Sequence, residues 1–156
     1  MNTGAIPEPL VGSQRWLCFR VIPQPDGTIK KIPLTVTGRL ARVDHPEDWS
    51  TFPEVLKAID FGIGQYPAIA LSADYPLRVL DLDGCFDDGG NLSPLAKDVL
   101  SRAKDTYIEK SVSGRGLHVL MWRSEHNFPA HPAPGLEVYG GAPRFIVMTG
   151  DVWRHP

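Results

Sequence analysis

The sequence predicts an α+β fold, with helices covering one face of a mostly antiparallel sheet. Seven or eight short segments have the apolar, β-prone content of strands, and only two have helical spacing; turn residues separate nearly all of them. "RWLCFRVI" (Arg15 to Ile22) is the first strand and stops at Pro23. Asp26-Gly27 is a hairpin signal, with Thr28 to Leu34 as the return strand. "DHPEDWSTFPEVLKAIDFG" reads as a loop and then a helix. Ser50 or Thr51 caps it, Glu54 falls in its first turn, and Val55, Leu56 and Ile59 form the apolar stripe. "PAIALSA" and "LRVLDLDG" are two further strands. In "SPLAKDVLSRAKD", Ser93 is the N-cap and Pro94 the first helical residue, while Leu95, Val99, Leu100 and Ala103 face the core. Strands follow at Tyr107 to Val112, Leu117 to Trp122, Leu136 to Tyr139 and Arg144 to Thr149.

At 156 residues the chain has the size of one domain, so residues 1–156 are read as a single unit with a core that needs no staples. Its 42% hydrophobic and 22% charged content suits a soluble globular protein. No apolar run approaches the roughly 18 residues of a membrane span. "MNTGAIPEPLVG" lacks the basic and apolar regions of a secretory signal, so a cytoplasmic protein with no membrane partner is expected. Cys18 and Cys85 are too few and too far apart for a zinc site or a disulfide framework, and each reads as a small buried hydrophobe. The net charge of −2 excludes a chain coated in positive charge. A local basic groove is still open, because field follows arrangement rather than total. The sequence contains no internal repeat.

The sharpest feature is "VLDLDG". Alternation along a strand sends Leu80 and Leu82 to one face and Asp81 and Asp83 to the other, about 7 Å apart at their Cα atoms. Two adjacent surface carboxylates repel unless a proton or cation lies between them. Mg²⁺ or Mn²⁺ is the usual solution, and such an ion keeps positions open for substrate phosphates. The plainer reading is that both aspartates end a strand and cap the turn into Gly84. Asp87 and Asp88 in "CFDDGG" read as solvated turn residues.

"SVSGRGLHVL", Ser111 to Leu120, adds to this. Alternation after Gly116 puts Leu117, Val119 and Met121 on one face and His118 on the other. The Ser-Gly-Arg-Gly turn offers hydroxyls and backbone N–H groups to an anion such as a triphosphate, and the imidazole at its edge can donate to phosphate. A histidine on a strand is more often structural. A third acid, Glu137 in "GLEVYGG", falls on the face opposite Leu136 and Val138, together with Tyr139. Such a set suits two-metal phosphoryl or nucleotidyl transfer.

In this order the residues resemble the archaeo-eukaryotic primase superfamily, in the primase-polymerase branch carried by phages and plasmids. Its first motif, an apolar strand ending in Asp-x-Asp, is matched by Asp81 and Asp83. Its expanded second motif, Ser-x-Ser-Gly-x-Gly-x-His, is matched by Ser111, Ser113, Gly114, Gly116 and His118, and its later acid by Glu137. Trp16, Lys31 to Pro33, Trp49 and "EVYGGAPRFIVMTG", with Arg144 and Phe145 before a Thr-Gly, extend the likeness from about residue 15 to residue 150. The resemblance implies an RRM-like sheet as a primase-polymerase catalytic core. Asp81, Asp83 and Glu137 would hold Mg²⁺ or Mn²⁺. Ser111, Ser113, Gly114, Gly116, His118 and Arg144 would bind the nucleoside triphosphate. The implied partners are a single-stranded DNA template and its primer, with a fused or separate helicase.

Two departures stand out. Relatives often carry a zinc-binding stem, for which this chain lacks cysteines, so no structural zinc is expected. Their catalytic domain is commonly followed by helical sequence and a helicase, so this chain is read as a minimal core or an excised piece. The rival reading is a non-catalytic, primase-like module that binds single strands by stacking bases on Trp16, Trp49, Trp122 or Tyr139. A nuclease or glycosyltransferase built on Asp-x-Asp ranks lower, because neither needs the second motif. Lys30, Lys31 and Arg115 read as solvated surface.

Overall fold

The computed structural model describes residues 1–26, 29–103, 105–122 and 133–154, and it is α+β. Where the sequence suggests one sheet, the strands form two antiparallel four-stranded sheets, and the chain divides into two compact units. The first unit holds Ile6–Leu71 and Pro143–Met148; the second holds Asn2–Ala5, Ser72–Ala142 and Thr149–Pro156. Among the described residues, no helix is long and apolar enough to cross a membrane.

In the first unit, β1 (Trp16–Pro23) pairs with β2 (Ile29–Leu34) and with β3 (Tyr66–Leu71), and β8 (Arg144–Val147) closes the order β2-β1-β3-β8. The hairpin signal at Asp26-Gly27 falls partly outside the described residues. A one-turn helix α1 (Glu8–Val11) precedes β1, and the Trp16 indole N–H donates to Leu10 O at 2.8 Å. Trp16 is fully buried against Phe52, so it serves the core and is not a stacking platform. Helix α2 (Phe52–Asp60) is capped at Thr51, as the sequence suggests. The Glu54 carboxylate accepts from the Thr51 N–H at 2.9 Å and from its hydroxyl at 2.7 Å. Val55 is buried, joined by Phe52 and Ala58.

Asp48 is a buried acid in this unit. Arg42 donates to it from Nε at 2.8 Å, from Nη2 at 3.2 Å and from its backbone N–H at 3.0 Å. These hydrogen bonds hold the Asp48 carboxyl down at about 2, against an ordinary value of 3.8. The unfolded chain therefore takes up this proton first. The stabilisation is complete above the ordinary value and is lost as pH falls from there towards 2. Asp48→Asn should lower Tm at neutral pH and shrink the Tm difference from the native sequence as pH is taken down. A Tm difference that does not change with pH in the acid range would refute this.

In the second unit, β4 (Leu77–Leu82) lies between β6 (Leu117–Trp122) and β7 (Leu136–Tyr139), and β5 (Ile108–Lys110) pairs with β6, giving β5-β6-β4-β7. Helix α3 (Pro94–Arg102) begins where Ser93 Oγ accepts from the Ala96 N–H at 3.2 Å. Ala96 and Leu100 of α3 are buried with Leu80, Leu82, Leu117, Val119, Leu136 and Val138, and Leu95, Val99 and Ala103 pack against that cluster. The aliphatic side chains that alternation assigned to the core lie there. Asp87 closes its own turn, accepting from the N–H groups of Gly89 (2.9 Å) and Asn91 (2.8 Å). Both cysteines are buried, and burial pushes the Cys18 thiol up to about 11, so neither is poised for chemistry.

Candidate active site

Register brings the second unit's polar side chains into one row. Asp81 on the central strand β4 pairs with His118 on β6 and with Glu137 on β7, and His118 pairs with Glu109 on β5. Directly paired residues share a face, so Glu109, His118, Asp81 and Glu137 stand in line across all four strands. Paired Cβ atoms lie about 5 Å apart, which lets the Asp81 and Glu137 carboxylates approach one another. Asp83 follows the end of β4, and its N–H donates to Gly135 O at 3.0 Å.

Asp81 and His118 are not on the surface, although the sequence put the paired aspartates there. Asp81 is 8% exposed and His118 5%, whereas Asp83 is exposed. The reason lies in the strands themselves. Leu77, Val79 and Leu120, which share the face of Asp81 and His118, are as buried as the leucines on the reverse side. His118 Nε2 is 3.8 Å from Asp81 Oδ1, and His118 Nδ1 is 3.1 Å from Glu109 Oε1. The Tyr139 hydroxyl donates to the half-buried Glu137 at 2.5 Å.

The glycine-rich turn is ordered by its own bonds. Ser111 N–H donates to Gly116 O and Gly114 N–H to Ser111 O, both at 2.9 Å. Arg115 N–H donates to Ser113 Oγ at 3.2 Å, and the two serine hydroxyls are 3.1 Å apart. The expected cradle of N–H groups is therefore partly spent inside the loop. Exposed Ser113 and Arg115 and half-buried Ser111 remain at its tip. Gly114 has a φ of +70°, a turn conformation that side chains resist. Gly116 serves another purpose, since a Cβ there would stand 2.7 Å from Leu82 O and 3.0 Å from Ser111 Oγ. The turn is thus pressed against the end of β4, beside Asp83.

Arg144 is not on this sheet; it opens β8 in the first unit, exposed and opposite Leu71. Of the other aromatics, Trp49 is half-buried under the Arg15 guanidinium, whose carbon is 4.8 Å from the ring centre, and Trp122 is 41% exposed.

The chain matches no protein-family model and no curated protein.

Asp81 and Glu137 bring carboxylate oxygens to this face, the ligands that hard divalent ions take, beside the His118 imidazole. Among the described residues, no three His, Cys, Asp or Glu side chains already stand close enough to ligate one ion. The donor chemistry fits Mg²⁺ or Mn²⁺, and the side chains would have to turn inward around it.

Sequence reasoning passed over Glu109. It is fully buried, and its carboxylate accepts from the Thr149 N–H at 3.0 Å, the Gly150 N–H at 2.9 Å and the Tyr107 hydroxyl at 2.8 Å. The one local signal is an acid alternating with Tyr107 and Ser111 two residues ahead of the serine-glycine run.

Proposed function

We propose that this chain is a template-directed nucleotidyltransferase, a primase-polymerase that adds nucleotides to a primer on single-stranded DNA. The observation that carries the reading is the cross-strand row of Glu109, His118, Asp81 and Glu137, with Asp83 and the glycine-rich turn beside it at the end of the central strand β4. In this reading Asp81, Asp83 and Glu137 hold Mg²⁺ or Mn²⁺. When bound, such an ion supplies Lewis-acid stabilisation of the charge that develops on the reacting phosphate. Ser111 and Ser113 donate to the triphosphate at the tip of the turn, and His118 does so from Nε2 when its ring carries both protons. The protein's share is then positioning and charge, which carry most of phosphoryl-group chemistry. The RRM-like character of the second unit's sheet belongs to the same proposal.

The test is extension of a labelled primer annealed to a longer single-stranded template. Deoxynucleotides and ribonucleotides are supplied separately, with Mg²⁺, with Mn²⁺ or with a chelator. Extension by template-matched nucleotides, abolished by the chelator, is expected. Binding of the single strand with no incorporation under either ion would favour the non-catalytic module and overturn the enzyme.

A further inference from the structure

We propose that Glu109 is a positioning residue, whose buried carboxylate fixes the His118 ring by its Nδ1 so that Nε2 is presented to Asp81 and to the nucleotide's phosphates. This rests on the primase-polymerase reading for the ligand, but the Glu109–His118 arrangement stands on geometry alone.

Glu109 sits in the three-residue strand β5, directly opposite His118. Three donors and the Nδ1 of His118 converge on its two oxygens. Thr149 N–H and His118 Nδ1 meet Oε1; Gly150 N–H and the Tyr107 hydroxyl meet Oε2. Backbone N–H groups can only donate, so the carboxylate must accept from both. The Tyr107 hydroxyl keeps its proton, because burial and then the charge of Glu109 push it far above the ordinary phenol range. An oxygen already accepting from the Thr149 N–H takes the imidazole proton as well, which places that proton on Nδ1. The second ring nitrogen then faces the central strand, 3.8 Å from Asp81 Oδ1, and it donates to an anion there when the ring carries a second proton.

The arrangement is anchored from far along the chain. Thr149 Oγ1 donates to Lys110 O at 2.7 Å, and Lys110 N–H donates to Asp151 O at 2.8 Å, which straps residues 149–151 beside β5. A fully buried carboxylate is expensive, and an apolar side chain of similar volume would serve packing at least as well. Of its four partners, His118 is the one that reaches the candidate site. Carboxylates that orient a metal-ligating imidazole through its second nitrogen act in this way. Losing such a partner typically costs about tenfold to a hundredfold in metal affinity or activity, and a loss of the same order is expected here.

The test is ¹⁵N NMR of the His118 ring together with nucleotide titration. In the native protein at neutral pH, Nδ1 should carry a proton. A bare Nδ1 with the proton on Nε2 would overturn the proposal without any variant being made. Glu109→Gln removes the charge and must set its amide NH₂ against the N–H of Thr149 or of Gly150, so the contact loosens and the His118 ring signature should change. It should also weaken nucleoside triphosphate binding about tenfold to a hundredfold. In the His118→Ala background the same substitution should cost no further affinity, because Glu109 acts through the ring. A folded Glu109→Gln protein with unaltered ring signals and unaltered affinity would leave only a packing role and sink the idea. If native protein binds no nucleotide but shows the Nδ1 proton, the proposed function fails while the Glu109–His118 assignment survives.

Discussion

Asp81→Asn should abolish nucleotide incorporation, by roughly a thousandfold if it acts like the loss of a preorganised electrostatic group, and leave the folded protein at least as stable as before. The two halves of this expectation come from one position. Asp81 lies on the central strand, nearly buried, with the Glu137 carboxylate directly opposite on one side and His118 on the other. Like charges at paired sheet positions destabilise, and a carboxylate taken out of water costs several kcal/mol unless it is well compensated. Asparagine keeps the shape and removes the charge. It leaves a neutral amide 3.8 Å from His118 Nε2 and relieves the repulsion from Glu137. Thermal unfolding in a chelator, followed by primer extension with Mg²⁺ and with Mn²⁺, separates the two effects.

The comparison with Asp83→Asn sharpens this. Asp83 is exposed and lies beyond the strand end, so its charge weighs little on folding. Its loss should remove activity with almost no shift in Tm. Full incorporation by either variant would take the metal site out of the account. Inactivity of Asp81→Asn together with loss of the native fold would instead make the row structural. A residue whose replacement stabilises the protein while silencing it is kept for function, and that is the signature sought here.

Much of the second unit's sheet was legible in the sequence because alternation is a local property. Leu80, Leu82, Leu117, Val119, Leu136 and Val138 reach the core for the reason the pattern states. Alternation also put Asp81, His118 and Glu137 on the other face. It could not say that this face is covered as well, because what lies over a sheet is set by distant chain. The division into two sheets was illegible for the same reason. The last strand, Arg144–Val147, pairs with Tyr66–Leu71, some seventy-five residues earlier, in a pairing with no local signal (Ala68 with Val147, Leu71 with Arg144). Glu109 shows the limit most clearly. Between Ile108 and Lys110 it reads as one more charge on a short strand, and its donors Thr149 and Gly150 stand 40 and 41 positions away. The Thr-Gly was visible as a pattern, but its task of holding a buried carboxylate was not. The phosphate chemistry of the glycine-rich turn is legible in its residues, whereas its close packing against Leu82 and Asp83 is not.

That packing gives the second large effect. Gly116→Ala should lower Tm by several degrees with no nucleotide present, and it should weaken nucleotide incorporation as well. A Cβ at Gly116 would meet Leu82 O at 2.7 Å, Ser111 Oγ at 3.0 Å and the Asp83 Cα at 3.6 Å. Leu82 cannot yield easily, because it is paired on both sides, with Leu117 on β6 and Leu136 on β7. The turn must move instead, lifting Ser111 and Ser113 away from Asp83. Overpacking of this kind costs about 1–3 kcal/mol, enough to shift Tm by several degrees in a chain of this size. Gly114→Ala is the control. Open space surrounds its missing Cβ, and only the strain of a φ near +70° opposes the change, so its loss of stability should be the smaller. If the glycine at 116 served only to let phosphates approach the backbone, Gly116→Ala would keep its Tm and lose nucleotide affinity alone. Calorimetry of both variants without nucleotide, set beside their nucleotide titrations, decides which of the two the turn was built for.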